Sequence, residues 1–284
     1  MKLAKFRSPL GRVGVAVVED ATAFPLDLAR VPGIETLADI LHSANPRELV
    51  ALLHPGGAGL PIADITFLAP VDRQEIWAAG VTYKRSKVAR EEESAGAAQF
   101  YDKVYSAARP ELFMKATPER VTHPGEPIRV RADSGWNVPE PELTLVVTPA
   151  LKIVGYTVGN DVSSRDIEGE NPLYLPQAKI YTGSCAVGPW VTLADAIPEL
   201  TTCEIRLVIH RDGQIAFDGS TSIAQMNRTP ESLVEWLGKE NAFPHGVLLM
   251  TGTGIVPPDA FSLSSGDRVE ISITGIGTLI NPVG

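Results

Sequence analysis

The sequence predicts an α+β protein that is built mainly from short β-strands. Its 284 residues contain 25 Gly and 23 Pro distributed along the chain, which favours many turns over long helices. From residue 111 onward, apolar runs of strand length alternate with turn residues, whereas helix signals are few. A hydrophobic content of 44% is enough for an ordinary globular core, in one large domain or two smaller ones.

The chain is predicted to divide into a small N-terminal α/β domain, residues 1–70, and a larger catalytic domain, residues 71–284. Residues 3–6 and 14–18 have the pattern of a β-hairpin, and a helix is expected near 34–42. The smaller domain contains no catalytic grouping, so we expect a structural or dimerisation role for it.

Two further helices are predicted from their capping signals. In NPRE, Asn45 suits the N-cap, Pro46 suits the first helical position and Glu48 completes a capping box. A later helix is expected to begin with Thr229 as its N-cap and Pro230 as its first residue.

The strand EIWAAG (75–80) leads into a charged, alanine-rich segment over residues 84–109. Its composition is compatible with a helix. This helix either lies on the solvated surface or, because it precedes the strands with candidate catalytic groups, covers the site as a lid.

Several later segments predict strands. ELFMKA, EPIRVRA, ELTLVV and LKIVGYTVGND follow one another with turn residues between them. TCEIRLVIHRDGQIAFDGST predicts a hairpin, because apolar and polar residues alternate and Asp212-Gly213 suits a tight turn. The tail DRVEISITGIGTLINPV returns to strand.

The composition argues against several kinds of partner. A formal net charge of −9 argues against nucleic acid, which needs clustered Lys and Arg. There is no long apolar run and no leader-like N-terminus, so we expect no membrane partner. Two cysteines, Cys185 and Cys203, are too few for a disulfide framework, and we expect a cytoplasmic protein.

Three carboxylates form the candidate site. Glu140 and Glu142 in NVPEPELTLVV are two residues apart, so on a strand they face the same way and repel each other unless a cation lies between them. Asp161 follows where the strand of VGYTVGND ends. Such an all-oxygen site selects Mg²⁺, with Mn²⁺ or Ca²⁺ as alternatives. From spacing alone, a solvated strand edge is the other interpretation.

Several ordered motifs resemble the fumarylacetoacetate hydrolase superfamily. They are EPELTLVV, VGYTVGNDVSSRD, AKIYTGSCAVGPW, LLMTGTG and GDRVEISITGIGTLINPV, and the similarity extends over residues 75–284. The resemblance implies a mixed β-roll catalytic domain, a bound Mg²⁺ and assembly as a homodimer or homotetramer.

The resemblance also implies roles for single residues. The implied metal ligands are Glu140, Glu142 and Asp161. Lys179 matches the family's active-site lysine, Arg165 matches its substrate-side arginine, and Thr253 matches the threonine that contacts the substrate carboxylate.

One motif departs from the hydrolases of this superfamily. They carry GxNYxxH, whose histidine activates the attacking water, whereas this chain has GVTYKRS with Ser86 at that position and Ala89 in place of the usual glutamate. A serine is not a general base near neutral pH without a partner. GVTYKRSKVARE, YSAARPELFMKAT and SSRDIEGENPLYLPQAKIYTGS instead resemble the superfamily's sugar-acid dehydratases. These act on 2-keto-3-deoxy pentonates such as 2-dehydro-3-deoxy-D-arabinonate and form 2,5-dioxopentanoate.

The resemblance therefore implies a hydro-lyase whose substrate is a small 2-keto acid. Chelation of Mg²⁺ by the carboxylate and keto oxygens would stabilise the enolate that forms when a C3 proton leaves, and loss of the C4 hydroxyl completes the elimination. Lys179 is either the proton-transfer group or only an ionic partner of the metal ligands. Arg165 either holds the substrate or pairs with Asp166 or Glu168.

Further substrate contacts are expected near these groups, some of them from the segment over residues 84–109 if it covers the site. The candidate substrate-binding residues are Arg85, Ser86, Lys87, Glu170 and Gln177. Two rival functions stay open. One is a C–C hydrolase or decarboxylase that acts on an acylpyruvate, and the other is a catalytically silent β-roll used for binding or scaffolding.

Overall fold

The computed structural model describes residues 1–84 and 103–284. These residues form a 12-stranded sheet, a four-stranded sheet and a two-stranded ribbon, joined by short helices and turns. No helix within the two described ranges is both long enough and apolar enough to cross a membrane. Most of the segment expected to form a surface helix or a lid, residues 85–102, lies outside these ranges.

The large sheet combines strands from both ends of the chain. Its strands are β1 (Lys2–Arg7), β2 (Val13–Glu19), β3 (Thr22–Pro25), β4 (Leu60–Pro61), β5 (Thr66–Leu68), β6 (Glu75–Gly80), β7 (Glu111–Ala116), β8 (Val121–Thr122), β10 (Pro141–Val147), β11 (Ile153–Asp161), β13 (Cys185–Leu193) and β16 (Val247–Met250). The ribbon consists of β9 (Asn137–Val138) and β12 (Ser163–Ser164). The four-stranded sheet consists of β14 (Glu204–Arg211), β15 (Gln214–Ser222), β17 (Arg268–Ile273) and β18 (Gly277–Pro282).

The α-helices are short, with five to eight residues each. They are α1 (Leu37–Leu41), α2 (Pro46–Leu53), α3 (Arg165–Glu170), α4 (Leu175–Lys179) and α5 (Pro230–Leu237). Helices α3 and α4 directly follow the ribbon strand β12, and this connection brings their side chains to the end of β11.

The large sheet is mixed, as the family resemblance implied. Its strand order is β4-β3-β2-β1-β13-β11-β10-β16-β6-β7, with β5 paired to β1 and β8 paired to β13. Most neighbours are antiparallel, but β16 runs parallel to β6, and β8 runs parallel to β13. The expected β-rich architecture is therefore confirmed.

The N-terminal strands belong to the same sheet as the candidate catalytic strands. Lys2 and Leu3 of β1 pair with residues of β13, and β1 also pairs along its length with β2. The hairpin and both helices predicted in this part of the chain are confirmed. The division of the chain at residue 70 stays a prediction.

The predicted N-caps and the predicted turn agree with the structure. The side chains of Asn45 and Thr229 each accept a hydrogen bond from a main-chain N–H in the first turn of their helix. The capping box expected from Glu48 is not formed, because only its N–H bonds to Asn45; a reciprocal capping box lies at α1 instead, between Thr36 and Asp39. The predicted hairpin turn is also confirmed, because Asp212 has a φ of 51° and the glycine after it a φ of 76°.

One strand expectation is wrong. The segment EPIRVRA forms only an isolated bridge, between Ile128 and Val283. Pro127 has no N–H to donate to a ladder, and the amides of Ile128 and Arg129 bond to two different segments, at Pro282 O and Gly183 O. The chain therefore crosses between elements here instead of running along one partner strand.

Two hydrophobic clusters lie on opposite faces of the large sheet. One contains Leu143, Leu145 and Val158 of β10 and β11 and packs them against the four-stranded sheet and α5. The other contains Val146 and Cys185 and packs the opposite face against residues of the N-terminal strands and helices. The candidate carboxylates lie where β10 begins and β11 ends. Because both clusters pack against these two strands, both help to fix the positions of the carboxylates.

We expect Leu145→Ala to lower the free energy of unfolding by about 2–5 kcal/mol, because Leu145 is fully buried between the two sheets and its loss leaves a cavity. Urea denaturation measures the change. The matched control is Leu10→Ala, since Leu10 is 84% exposed and its truncation should change the free energy by less than about 0.5 kcal/mol. Equal losses in the two variants would contradict the assigned core.

Candidate active site

The three predicted carboxylates meet where β10 begins and β11 ends. Glu142 pairs with Gly159 in the antiparallel ladder, and the N–H of Asp161 donates to the carbonyl of Glu140 at 3.0 Å. Because alternate residues of a strand share a face, this register directs all three side chains to one side of the sheet. Their carboxylate oxygens lie within 4.8 Å of one another, and all three residues are buried.

Lys179 and Arg165 supply positive charge to this cluster. Lys179 Nζ donates to Glu140 Oε2 at 2.7 Å, to Asp161 Oδ2 at 2.9 Å and to Ser163 Oγ at 2.7 Å. Arg165 donates from its guanidinium to Glu140 Oε1 at 2.9 Å. Both cations are buried, and buried charges are stable only when they are paired in this way.

The helices α3 and α4 deliver these cations. Arg165 is the first residue of α3, directly after the ribbon strand β12, and Lys179 is the last residue of α4. Asp166, which the sequence offered as a partner for Arg165, instead accepts hydrogen bonds from Ser134 Oγ and the N–H of Gly135. The guanidinium of Arg165 therefore points to the carboxylate cluster.

A second lysine, Lys115, also contacts the cluster. It lies on β7, which is an edge strand of the large sheet. Its Nζ forms an ion pair with Asp161 Oδ1 at 2.5 Å and donates to the carbonyls of Val162 at 3.0 Å and Lys179 at 2.5 Å. The sequence analysis did not identify this residue, because ELFMKA has the pattern of an ordinary strand.

The glycine-rich turn after β16 holds the remaining carboxylate. The N–H of Gly252 donates to Glu142 Oε2 at 2.6 Å. Gly252 has a φ of +90°, and a Cβ at this position would lie 2.1 Å from Thr82 Oγ1, so only glycine fits. Burial raises the pKa of Glu142 well above its usual range, and the neighbouring carboxylates of Asp161 and Glu140 raise it further.

A small cavity opens onto the cluster, and the sequence analysis did not assign three of its lining residues to the site. Glu111 and Phe113 of β7 and Glu168 of α3 line it together with the three carboxylates and Lys179. Gly80 leaves room for the carboxylate of Glu111, because a Cβ there would lie 2.0 Å from Glu111 Oε2. Two signals were present in the sequence: residues 111, 113 and 115 alternate on one strand, and Glu168 is three residues after Arg165 on a helix.

The predicted substrate-binding residues have different positions. Thr253 lines the cavity, and its hydroxyl is hydrogen-bonded within its own loop to the N–H and carbonyl of Ile255. Glu170 and Gln177 are exposed, and neither is among the described residues that line the cavity. The remaining candidates, Arg85, Ser86 and Lys87, lie outside the described residues.

The donor atoms of this cluster fit a hard divalent cation. Carboxylate oxygens are the ligands that Mg²⁺, Mn²⁺ and Ca²⁺ prefer. Asp161 Oδ1 is buried and accepts no hydrogen bond within the described ranges, although Lys115 lies beside it. In residues 1–84 and 103–284, this is the single group of three such side chains close enough to bind one ion. Thiolate ligation does not compete, since burial raises the pKa of the nearby Cys185 to about 12.

Most of the chain matches the model of a known family. The model of the Fumarylacetoacetate (FAA) hydrolase C-terminal family matches residues 75–284, and the chain belongs to this family. The resemblance found in the sequence motifs is thereby confirmed.

Three relatives are similar over nearly the whole chain. A probable 2-keto-3-deoxyxylonate dehydratase of Haloferax volcanii is 51% identical over 269 residues, which cover 93% of this chain and 91% of that protein. A 2-dehydro-3-deoxy-D-arabinonate dehydratase of Saccharolobus solfataricus is 46% identical over 281 residues, 95% of this chain and 92% of that protein. A solved 2-keto-3-deoxy-D-arabinonate dehydratase, complexed with magnesium and 2,5-dioxopentanoate, superposes with a TM-score of 0.83 at 38% identity and covers 100% of this chain and 98% of that one.

The raised pKa of the buried Glu142 carboxyl predicts that the stability of the metal-free protein depends on pH. Because the pKa of Glu142 is raised on folding, the folded state binds more protons than the unfolded state above the ordinary pKa of 4.5, and stability falls as the pH rises through this window. In protein treated with EDTA, Glu142→Gln should therefore raise the melting temperature at about pH 8 and have a smaller effect at about pH 5. Thermal unfolding at the two pH values measures this difference, and an equal effect at both would contradict the pKa shift.

Proposed function

We propose that this protein is a magnesium-dependent hydro-lyase that removes water from a 2-keto-3-deoxy pentonate and forms 2,5-dioxopentanoate. The observation that carries the proposal is the buried cluster of Glu140, Glu142 and Asp161 beside Lys179, in a chain related over its length to dehydratases. One of these relatives was solved with magnesium and the product named here.

The carboxylate cluster is the proposed cation site. Its three residues, Glu140, Glu142 and Asp161, offer oxygen ligands on one face of the sheet. A Mg²⁺ held there supplies a Lewis acid, which stabilises negative charge on the oxygens of a bound 2-keto acid. The N–H of Gly252 orients one of the three carboxylates through its hydrogen bond to Glu142.

Lys179 is the proposed proton-transfer group at C3 of the substrate. Its Nζ lies in the cavity wall, within 2.9 Å of oxygens of both Glu140 and Asp161. A C3 proton is acidified by the adjacent keto group. Its transfer to Nζ would begin the elimination after the ammonium has passed one of its own protons to a carboxylate that it contacts. Arg165, which is bonded to Glu140, is proposed to orient that carboxylate.

The leaving hydroxyl at C4 needs a proton, and two further glutamate side chains that line the cavity are the proposed route for this transfer. Glu111 enters from β7 and Glu168 from α3, so they approach the cavity from different elements. Thr253 is proposed to contact the substrate carboxylate, and Glu170, Gln177 and the residues Arg85, Ser86 and Lys87 stay candidates for contacts with its hydroxyls.

The proposal also includes the compartment and the oligomeric state of the enzyme. We propose a cytoplasmic homodimer or homotetramer. The two buried free cysteines, Cys185 and Cys203, support a reducing compartment, because neither forms a disulfide. Resemblance to the family supports the assembly, and light scattering of the purified protein tests it.

We expect the purified protein to form 2,5-dioxopentanoate from 2-dehydro-3-deoxy-D-arabinonate in the presence of Mg²⁺ and to lose this activity in EDTA. The product is measured by a discontinuous assay. In a 2-keto-3-deoxy pentonate C4 is the sole stereocentre, so the same assay with the opposite C4 configuration measures the stereochemical preference. Release of pyruvate from an acylpyruvate, without dehydration, would replace the proposal with a C–C hydrolase.

We expect Glu142→Gln to lower kcat/KM by more than about 100-fold, because loss of a charged ligand removes several kcal/mol of transition-state stabilisation. The fold should persist, since the amide oxygen can accept the same bond from the N–H of Gly252. The matched control is Glu119→Gln, an exposed glutamate shortly after β7, which should leave kcat/KM unchanged. Normal turnover of Glu142→Gln would exclude this residue from the cation site.

A further inference from the structure

Lys115 is a fully buried lysine that has no part in the proposed reaction. It lies in β7 where the pairing with β6 shifts register: two successive residues of β6 pair with Ala116 and Met114, so Lys115 has no partner across the ladder. A bulge of this kind redirects a side chain. Here it directs a charged side chain into the interior, where its exposed fraction is 0%.

Lys115 Nζ makes two hydrogen bonds and one ion pair in the interior. An ammonium has three N–H donors. Nζ of Lys115 has three acceptors within reach, which are the carbonyl of Val162 at 3.0 Å, the carbonyl of Lys179 at 2.5 Å and Asp161 Oδ1 at 2.5 Å. Lys115 is also absent from the described residues that line the cavity. Direct contact with a substrate is therefore not its role.

These acceptors belong to two elements that each contribute a functional side chain. Asp161 ends β11, and Lys179 ends α4. Lys115 thus joins a candidate cation ligand to the main chain of the candidate proton-transfer residue. The carbonyl of Lys179 accepts a second hydrogen bond, from Ser184 Oγ at 2.8 Å, which holds the same end of α4.

We propose that Lys115 is a positioning residue that holds Lys179 in place against the carboxylate of Asp161, and whose charge limits how tightly the carboxylate cluster binds a divalent cation. The kinetic part of this inference rests on the proposed function. The cation-binding part does not, because it concerns only the three carboxylates and the neighbouring ammonium.

The two effects of Lys115 act in opposite directions on cation binding and turnover. Removing its charge removes repulsion of a divalent cation at Asp161. Tighter cation binding is expected if this gain is larger than the affinity that a ligand loses together with its outer partner. Removing its hydrogen bonds loosens the end of α4, and a small displacement of a proton-transfer group strongly reduces turnover. General damage to the site would instead weaken both properties.

The test variant is Lys115→Met, which keeps the length of the side chain and removes its charge and donors. We expect Mn²⁺ to bind about tenfold more tightly, as measured from the electron paramagnetic resonance signal of free Mn²⁺. With Mg²⁺ and 2-dehydro-3-deoxy-D-arabinonate, kcat should fall by about 100-fold while KM changes by less than about threefold. Unchanged or weaker Mn²⁺ binding would overturn the proposal, and so would an unchanged kcat.

The matched control is Lys5→Met. Nζ of Lys5 makes the same kinds of contact as Lys115, an ion pair with Asp72 Oδ1 at 2.7 Å and a hydrogen bond to the carbonyl of Val71 at 2.5 Å, but on β1. This variant controls for the loss of a lysine that links two segments. It should leave both Mn²⁺ affinity and kcat unchanged, and effects equal to those of Lys115→Met would overturn a role specific to Lys115.

A second variant, Ser184→Ala, removes the other hydrogen bond to the carbonyl of Lys179 without removing a buried charge. It tests the positioning of Lys179 if Lys115→Met does not fold. Loss of one hydrogen bond to the carbonyl of Lys179 should lower kcat by about fivefold and leave Mn²⁺ affinity unchanged. An unchanged kcat would overturn the positioning role. If the unaltered protein dehydrates no sugar acid, the proposed function fails, and Mn²⁺ binding by Lys115→Met alone decides the inference.

Discussion

The structure depends on the burial of like charge at the end of two paired strands. Three carboxylates whose oxygens lie within 4.8 Å of one another repel strongly in a region that excludes water. Their burial is tolerated because cations contact two of them directly, and a main-chain N–H donates to the third. The rest of the fold must therefore bring those cations to one place with accurate geometry.

Each cation reaches the cluster from a different element. Lys115 comes from β7, Arg165 from the start of α3 and Lys179 from the end of α4. The ion pairs consequently link the edge of the large sheet, its centre and the two short helices. Removing one partner would leave a buried charge without compensation, which is more damaging than the loss of an exposed ion pair. The same ion pairs therefore stabilise the fold and position the groups of the candidate active site.

The sequence contained enough information for the acidic half of this cluster. Glu140 and Glu142 are two residues apart in front of an apolar run, so strand periodicity alone brings these two to one face. Asp161 ends another strand and joins them through the pairing of β10 with β11. Lys115 could not be found in the same way. Its direction follows from the register shift between β6 and β7, and that register depends on pairing with a strand far away in the chain.

The same limitation explains the wrong strand over EPIRVRA. Its alternating pattern is local, but a strand also needs a partner ladder, and here the amides of Ile128 and Arg129 find acceptors on separate segments. The helix starts at Asn45 and Thr229 were predictable because a cap acts within four residues. Thus local signals were reliable, whereas features that depend on long-range pairing were not.

The position of β13 has a consequence for hydrogen exchange. One end of this strand pairs with Asp161, and the other end pairs with Lys2 and Leu3 of β1. Amides in β13 are therefore enclosed between the N-terminal strands and the strand that ends in the carboxylate cluster. An amide of β13 exchanges when the strand to which it is bonded moves away, so the amides bonded to β11 report the opening of the strand that ends in the carboxylate cluster. A cation that binds only the folded state would slow that exchange, and its binding would be detected in a strand that also pairs with the first strand of the chain.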